Sequence, residues 1–213
     1  MGRIESFEQN VDRYEAWFDR NRAAYASELE ALRALLPKSG EGLEVGVGTG
    51  RFAAPLGVRV GVDPSSAMGK VAMERGIEVH SGVGESLPYR DRSFAFVLLV
   101  TTICFLNDVP AAFGEVYRVL TPGGCILVGF IDRDSTLGKV YEKRKQDNEF
   151  YRHASFFSVD EVVFHLQKAG FCDFVFRQTL FHNPQEMKEP DPGRPGYGEG
   201  SFVVVRALRP VKH

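Results

Sequence analysis

Three glycines and two acidic residues have the types and spacing to hold a nucleotide-like ligand. Gly46, Gly48 and Gly50 alternate in the stretch LEVGVGTG, which also contains Glu44, and Asp63 ends the next apolar run. A glycine turn between a strand and a helix lets a ligand approach bare backbone near the positive end of the helix dipole. The stretch therefore predicts a ligand site at this turn.

The spacing of these residues distinguishes three classes of ligand. A nucleoside triphosphate loop needs a lysine after its last glycine, and Arg51 stands there instead. A dinucleotide turn has the pattern GxGxxG, with an acidic residue about 20 positions further on. Here the third glycine comes one position early and Asp63 follows sooner. The shorter spacing favours a small nucleoside without a pyrophosphate, such as S-adenosylmethionine.

The acidic side chains agree with that nucleoside. Asp63, at the end of a predicted second strand, can accept hydrogen bonds from both ribose hydroxyls. Glu44 would favour a ligand with a positive sulfonium and ammonium, and it would repel a pyrophosphate. The structural alternatives are glycines that only form a tight turn, and acidic residues that only cap helices.

The elements that would position these residues alternate between strands and helices. Short β-branched runs and helical stretches follow one another after residue 41, a pattern typical of βαβ units. Right-handed crossovers then give a parallel sheet with helices on both faces. The predicted strands are 42–47, 58–63, 77–80, 94–101 and 124–131, and the predicted helices are 50–56, 65–75 and 109–120.

The flanking segments differ from this core. Apolar spacing predicts a helix from Phe7 to Leu36 that can break near Asn21, and Ser6 with Gln9 resembles a capping box at its start. A polar, partly helical insertion precedes a helix at 158–169 and two strands at 171–181 and 201–208, which a Pro- and Gly-rich loop separates. We expect one domain, made of an N-terminal helical cap (1–37), a cofactor-binding core (42–131), an insertion (132–156) and a C-terminal helix with strands (157–213).

Composition excludes several classes of partner. The formal net charge of −2 offers no broad basic surface to nucleic acid. The longest apolar run, FAFVLLV, is far shorter than the roughly 20 residues of a membrane helix. Cys104, Cys125 and Cys172 lie in apolar runs and are typical of reduced core cysteines. We therefore expect a cytoplasmic protein without a nucleic-acid or membrane partner, and its oligomeric state stays open.

Four ordered motifs resemble those of the class I S-adenosylmethionine-dependent methyltransferases, in particular the small prokaryotic type-11 group. The motifs are LEVGVGTGRF, GVDPSSAM, GVGESLPYRDRSFAFVLLV and EVYRVLTPGGCILVGF. The N-terminal YEAWF is also similar to a helix that often lies across the cofactor in these enzymes. The match runs in order over most of the chain.

This resemblance implies a fold and a cofactor. The fold would be α/β and Rossmann-like, with a seven-stranded, mostly parallel sheet whose last strand runs antiparallel between the fifth and sixth. The cofactor would be S-adenosylmethionine, and the product S-adenosylhomocysteine. Val83 departs from the family, which commonly has an aspartate there for the adenine amino group. The implied cofactor contacts are Glu44, Gly46, Gly48, Gly50, Asp63, Pro64, Gly84 and Glu85.

The resemblance also implies in-line methyl transfer to an unidentified small molecule. Such a displacement needs alignment and exclusion of water more than a dedicated base. Tyr14 and His182 are the candidate catalytic residues, while His153 and Tyr197 are further candidates to face the acceptor. Cys104, where many relatives have a histidine, is expected to pack in the core. Nitrogen, oxygen, sulfur and carbon acceptors all stay open, and no histidine spacing indicates a metal.

Two other functions remain as alternatives. Val83 and Cys104 allow a non-catalytic protein that binds S-adenosylmethionine or S-adenosylhomocysteine. Tyr141 and Lys145 form a YxxxK pair, which resembles the catalytic pair of short-chain dehydrogenases and would suggest an NAD(P)-dependent reductase. The remaining motifs of that family are missing, so a solvated helix of mixed charge is favoured for the pair.

Overall fold

The computed structural model describes residues 2–211, and its centre is one sheet. In this part of the chain the sheet has eight strands in the order β3-β2-β1-β4-β5-β8-β6-β7. The strands are β1 Gly42–Val45, β2 Val60–Asp63, β3 Glu78–Ser81, β4 Phe94–Val100, β5 Leu120–Ile131, β6 Cys172–Thr179, β7 Arg194–Pro195 and β8 Phe202–Leu208.

The sheet confirms the predicted fold class. Strands β1 to β5 pair in parallel, and β8 runs antiparallel to both of its neighbours, β5 and β6. The two-residue β7 at the edge was not predicted. Strand β5 begins at Leu120 rather than at residue 124, because Leu120 already pairs with Phe94 before a bulge in the register.

Helices cover both faces of the sheet. Alternate residues of β4 face opposite sides: Val97 and Leu99 pack with one buried cluster, Phe96 and Leu98 with the other. Helices α6 and α8 cover the first face, and α3, α4 and α5 cover the second. The helices are α1 Gly2–Gln9, α2 Val11–Arg20, α3 Arg22–Arg33, α4 Ala53–Leu56, α5 Ser66–Glu74, α6 Val109–Val119, α7 Thr136–Arg144 and α8 Val159–Lys168.

The N-terminal region is three helices rather than one. The predicted break at Asn21 is confirmed, and a second break falls at Asn10. Both asparagine side chains donate to the carbonyl four residues earlier, Ser6 and Trp17 respectively, which competes with continuation of a helix. The predicted cap at Ser6 was wrong, because α1 begins at Gly2 and Ser6 lies inside it.

The insertion folds back over the N-terminal helices. After α7, a short 3-10 turn at Lys145–Asp147 leads into a loop. There the Glu149 carboxylate accepts from Asn10 Nδ2 and Arg13 Nη1, both at 3.0 Å. Phe150 packs against Phe7, with 5.1 Å between ring centroids. The two predicted flanking segments therefore meet above one end of the sheet.

Across residues 2–211, the helices are too short or too polar to span a bilayer.

Candidate functional site

A cavity of about 880 Å³ lies at the carboxyl ends of β1, β2 and β4. Its floor is formed by the loops that follow these strands, which is where open α/β sheets commonly bind ligands. Its roof is formed by α1 to α3 and by the insertion. The volume falls within the roughly 300–1,000 Å³ range of small-molecule sites.

The glycine turn gives the cavity a bare backbone surface at two of its three glycines. Gly46 and Gly48 line the cavity with φ of +70° and +53°. A β-carbon at Gly46 would lie 2.6 Å from the Thr102 hydroxyl oxygen, so a side chain does not fit there. Gly50 also has a positive φ, but it lies against Ile77 and is not part of the lining. Gly50 is required for packing of the turn.

Asp63 is held rigidly at the end of β2, on the cavity wall. Its Oδ2 accepts from the Gly48 N–H at 2.8 Å, and its Oδ1 accepts from the Ser65 N–H at 2.9 Å. Burial raises the pKa of Asp63, and the two backbone hydrogen bonds oppose that rise. Each carboxylate oxygen can accept a further hydrogen bond. Pro64 follows it on the same wall.

Glu44 is not among the residues that line the cavity, so a contact of its carboxylate with a cationic ligand stays a prediction. Alternation along β1 directs Leu43 and Val45 to the α6 face and Glu44 to the opposite one, and the residue is 1% exposed. The backbone of Ala53, the first residue of α4, donates to the carboxyl group. Burial raises the pKa of Glu44 well above its ordinary value. One carboxylate oxygen therefore contacts the start of α4, while Oε2 is buried without a hydrogen-bond partner among the described residues.

The loop after β3 forms the next part of the wall. Val83, Gly84 and Glu85 all line the cavity. The Glu85 carboxylate accepts from the backbone N–H groups of Asn107 and Asp108, at 2.7 and 3.2 Å. It therefore joins this loop to the one that follows β4. Val83 is 38% exposed and presents an apolar surface where the family pattern has an acid.

Tyr14 on α2 lies above the glycine turn. Its hydroxyl would be 3.4 Å from a β-carbon at Gly48, and its ring centroid is 5.1 Å from that of Phe18. Burial, with the nearby carboxylates of Glu44 and Asp63, raises the pKa of Tyr14. The phenol therefore stays neutral at physiological pH, as a hydrogen-bond donor rather than a base.

An ionic cluster fixes α2 against the turn. Glu15 pairs with Arg51 at 2.6 Å and with Arg75 at 2.5 Å, and it accepts from the Thr49 hydroxyl at 2.5 Å. Burial opposes ionisation, but the hydrogen bonds from Arg75, Arg51 and Thr49 outweigh it and lower the pKa of Glu15 to about 2. The helix that carries Tyr14 is thereby connected to the C-terminal end of the glycine turn and to the end of α5.

The Tyr141–Lys145 pair lacks the chemistry of a dehydrogenase. Lys145 Nζ donates to Glu142 at 2.6 Å, and the Tyr141 ring stacks on Tyr151, with 5.1 Å between centroids. Burial raises the pKa of Tyr141 to about 12, whereas proton transfer in a reductase needs a lowered one. Both residues line the cavity, and nothing in their surroundings favours the reductase alternative.

The other candidates take different places. His182 is not among the lining residues: its Nδ1 lies 2.7 Å from Asp191 Oδ1, and its side chain is 74% exposed. Tyr197 packs on Phe176, also away from the lining. His153 does line the cavity, and Cys104 packs with Ala154 and Phe156. Within residues 2–211, no group of three or more His, Cys, Asp or Glu side chains could hold a metal ion.

Glu28 on α3 is a cavity residue that we did not predict. It is only 3% exposed and yet lines the cavity, and burial raises its pKa to about 8. Among residues 4–211 no group donates a hydrogen bond to it or pairs with it. The sequence contains a signal: Glu28 is within about one helical turn of Ala24, Ala31 and Leu32, so it falls on the apolar face of α3.

The sequence is similar to that of several known proteins. The family described as Methyltransferase domain matches residues 43–128. An uncharacterized protein of Methanocaldococcus jannaschii is 44% identical over 201 residues, which cover 94% of this chain and 97% of that protein. A demethylmenaquinone methyltransferase of Chlorobaculum parvum is 35% identical over 108 residues, covering 46% of this chain and 45% of that protein.

A solved structure is similar over nearly the whole chain. It comes from Thermotoga maritima and is described as a SAM-dependent methyltransferase, possible histamine N-methyltransferase. Its sequence is 50% identical, and the TM-score is 0.95 over 96% of this chain and 99% of that chain. This likeness includes the N-terminal helices and the insertion as well as the sheet.

Proposed function

Because this chain belongs to the class I S-adenosylmethionine-dependent methyltransferases of the type-11 group, we propose that it methylates a small molecule bound beneath α1 to α3. Its cofactor is S-adenosylmethionine, and its product is S-adenosylhomocysteine. The N-terminal cap (1–37) and the insertion (132–156) both line the cavity. This shared wall supports treating the chain as one catalytic domain.

The residues at the glycine turn fit the cofactor. The bare backbone of Gly46 and Gly48 leaves room for close approach, and the fixed Asp63 carboxylate is suited to ribose hydroxyls. Val83 and Gly84 offer apolar and backbone surface for an adenine ring. The proposed cofactor residues are therefore Gly46, Gly48, Asp63, Pro64, Gly84 and Glu85.

The chain contributes alignment and exclusion of water. When bound, S-adenosylmethionine supplies an activated methyl group with a good leaving group. The roof of α1 to α3 and the insertion shields the cavity from solvent, and fixed orientation can lower such a barrier by several kcal/mol. We propose that Tyr14 positions the reacting groups by donating a hydrogen bond from its neutral hydroxyl.

One observation carries the proposal of a small acceptor. The cavity is also lined by three aromatic residues of the insertion, Tyr141, Phe150 and Tyr151, and by Glu28 on α3. These side chains offer a surface for another small molecule beside the cofactor. The Thermotoga maritima protein, described as a possible histamine N-methyltransferase, supports placing small amines first in the search for an acceptor.

The test combines binding and turnover. Calorimetry with S-adenosylmethionine, S-adenosylhomocysteine and NADH is expected to show micromolar binding of the first two only. Asp63→Ala should weaken this binding at least tenfold, while Asp12→Ala, at an exposed position on α2, should leave it unchanged.

Turnover is then followed by transfer of a labelled methyl group to a panel of small molecules that begins with histamine. We expect at least one product, and Asp63→Ala should lower its rate. Cofactor binding without turnover on any small molecule would contradict the proposed acceptor class. Binding of NADH alone would contradict the cofactor residues proposed above.

A further inference from the structure

Glu28 is a buried carboxyl group that has no hydrogen-bond or ion-pair partner among residues 4–211. It is 3% exposed, and within residues 4–211 no side chain or backbone group donates to it. An unpaired carboxylate in a dry site is costly, whereas one that faces a ligand can be paired when the ligand binds. Since Glu28 lines the cavity, its partner can come from a bound molecule.

The surroundings of Glu28 are aromatic. Tyr14, Tyr141 and Tyr151 lie close enough for the Glu28 charge to raise their pKa values, and Trp17 and Phe18 line the same cavity. Aromatic faces attract cations, and they do so more strongly where water is excluded. A carboxylate surrounded by aromatic rings is therefore suited to bind an organic ammonium group.

The basic residues of the cavity wall do not neutralise Glu28. Arg13, Arg20 and Arg152 are exposed, and Arg13 pairs with Glu149. Lys145 pairs with Glu142 at 2.6 Å. No basic side chain named here therefore pairs with Glu28, and a bound ammonium group would stabilise the ionised form of its carboxyl group.

We propose that Glu28 determines acceptor specificity, and that the methyl acceptor is a small molecule whose ammonium group binds the Glu28 carboxylate. This inference rests on the proposed function, since it names the acceptor class for the same cavity. The ammonium is the recognition group, and analysis of the product identifies the methylated atom.

The test measures acceptor binding directly. Calorimetry on protein saturated with S-adenosylhomocysteine uses 2-phenylethylamine, tryptamine and putrescine, each beside its fully N-acetylated derivative. At least one amine should bind, and its acetylated derivative, which carries no charge, should bind at least 30-fold more weakly. Glu28→Gln keeps the volume of the side chain but removes the charge, so it should weaken the amine at least 30-fold.

A matched control lies on the same helix. Glu30→Gln changes an exposed carboxylate whose partner is Arg33, and it should retain the affinity of the wild type for amines. Cofactor titration of Glu28→Gln verifies that the variant is folded, because its affinity for S-adenosylhomocysteine should stay within threefold of the wild type.

The outcomes separate the two proposals. Amine binding by Glu28→Gln within threefold of the wild type would overturn the role of Glu28. Failure of every amine to bind the saturated wild type, or preference for the acetylated derivatives, would overturn the acceptor class. Failure of the wild type to bind S-adenosylmethionine or S-adenosylhomocysteine would instead contradict the proposed function, because that titration contains no acceptor.

Discussion

A carboxyl group as buried as Glu28 makes stability depend on pH. Its pKa is about 8 in the folded chain against an ordinary value of 4.5, so between these values the folded state holds a proton that the unfolded state has lost. The stability that the protonated Glu28 contributes is fully present below pH 4.5, and it is lost as the pH rises toward 8.

We expect Glu28→Gln to remove this pH dependence. Urea unfolding from pH 5 to pH 8.5 should show the wild type losing roughly 2–5 kcal/mol more than the variant. Glu30→Gln should follow the wild type, because its carboxylate is exposed on α3. Parallel curves for the wild type and Glu28→Gln would show that the carboxyl group titrates normally.

The glycine turn permits a second comparison between single residues. Gly46→Ala and Gly57→Ala both place a side chain at a positive φ, +70° and +75°, but only the first meets Thr102, while nothing lies within 4 Å at Gly57. We expect Gly57→Ala to cost about 1 kcal/mol of unfolding free energy and Gly46→Ala roughly 2–4 kcal/mol. Only Gly46→Ala should also abolish cofactor binding in calorimetry. Equal losses in both variants would contradict the close approach at Gly46.

Single residues differ in how far their placement follows from sequence. Gly46, Gly48, Asp63, Pro64, Gly84 and Glu85 come together on one cavity wall, because strand ends in a parallel sheet meet at one edge. Alternation along β1 places Glu44 on the face opposite to its neighbours, behind the turn. Glu28 was missed because a glutamate in a helix is ordinarily solvated, and only the packing of α3 against the sheet buries it.

At the scale of elements, the ionic cluster of Glu15 determines how firmly α2 covers the turn. Glu15→Gln removes the negative charge that pairs with both Arg51 and Arg75. The two partly buried guanidinium groups then lose this ion-pair partner. We expect a loss of roughly 1–3 kcal/mol in unfolding free energy and at least threefold weaker binding of S-adenosylmethionine. Asp19→Asn, whose carboxylate is 62% exposed and 3.4 Å from Arg51, should cost less than about 0.5 kcal/mol.

The pKa of Glu15 also determines how acid changes the stability of the protein. The lowered pKa of Glu15, about 2, means that its stabilisation is present above the unfolded pKa near 4.5 and is lost as the pH falls toward 2. The difference between the wild type and Glu15→Gln should therefore shrink in acid. A constant difference from pH 7 to pH 3 would contradict ionisation of Glu15 as its cause.

Elements of the core were predictable because their apolar patterns are local. The strands at β1, β2, β4 and β8 begin and end within two residues of their predicted limits. The break at Asn10 was missed, since it depends on a side chain that also bonds Glu149, distant in sequence. The early start of β5 depends on pairing with β4, which the local pattern does not contain.

For the whole molecule, the place of the last strand followed from the family resemblance and is confirmed, because β8 runs antiparallel between β5 and β6. The resemblance did not indicate how the insertion and N-terminal helices meet. Phe150 packs with both Phe7 and Tyr14, and Glu149 joins the break at Asn10 to Arg13. These contacts connect segments more than 130 residues apart in sequence into one roof.

A roof connected in this way should respond to the cofactor as a unit. Hydrogen exchange followed by mass spectrometry is expected to slow together in α1, α2 and residues 148–153 when S-adenosylhomocysteine binds, because ordering one segment orders its partner. Glu149→Ala removes the acceptor of Asn10 and Arg13, so exchange in both segments should be faster in the free protein.

Glu142→Ala, which removes only the partner of Lys145, should leave α1 and α2 unchanged. If α2 in Glu149→Ala keeps the protection of the wild type while residues 148–153 exchange freely, the two segments cover the cavity independently. If both segments lose protection, they form one unit.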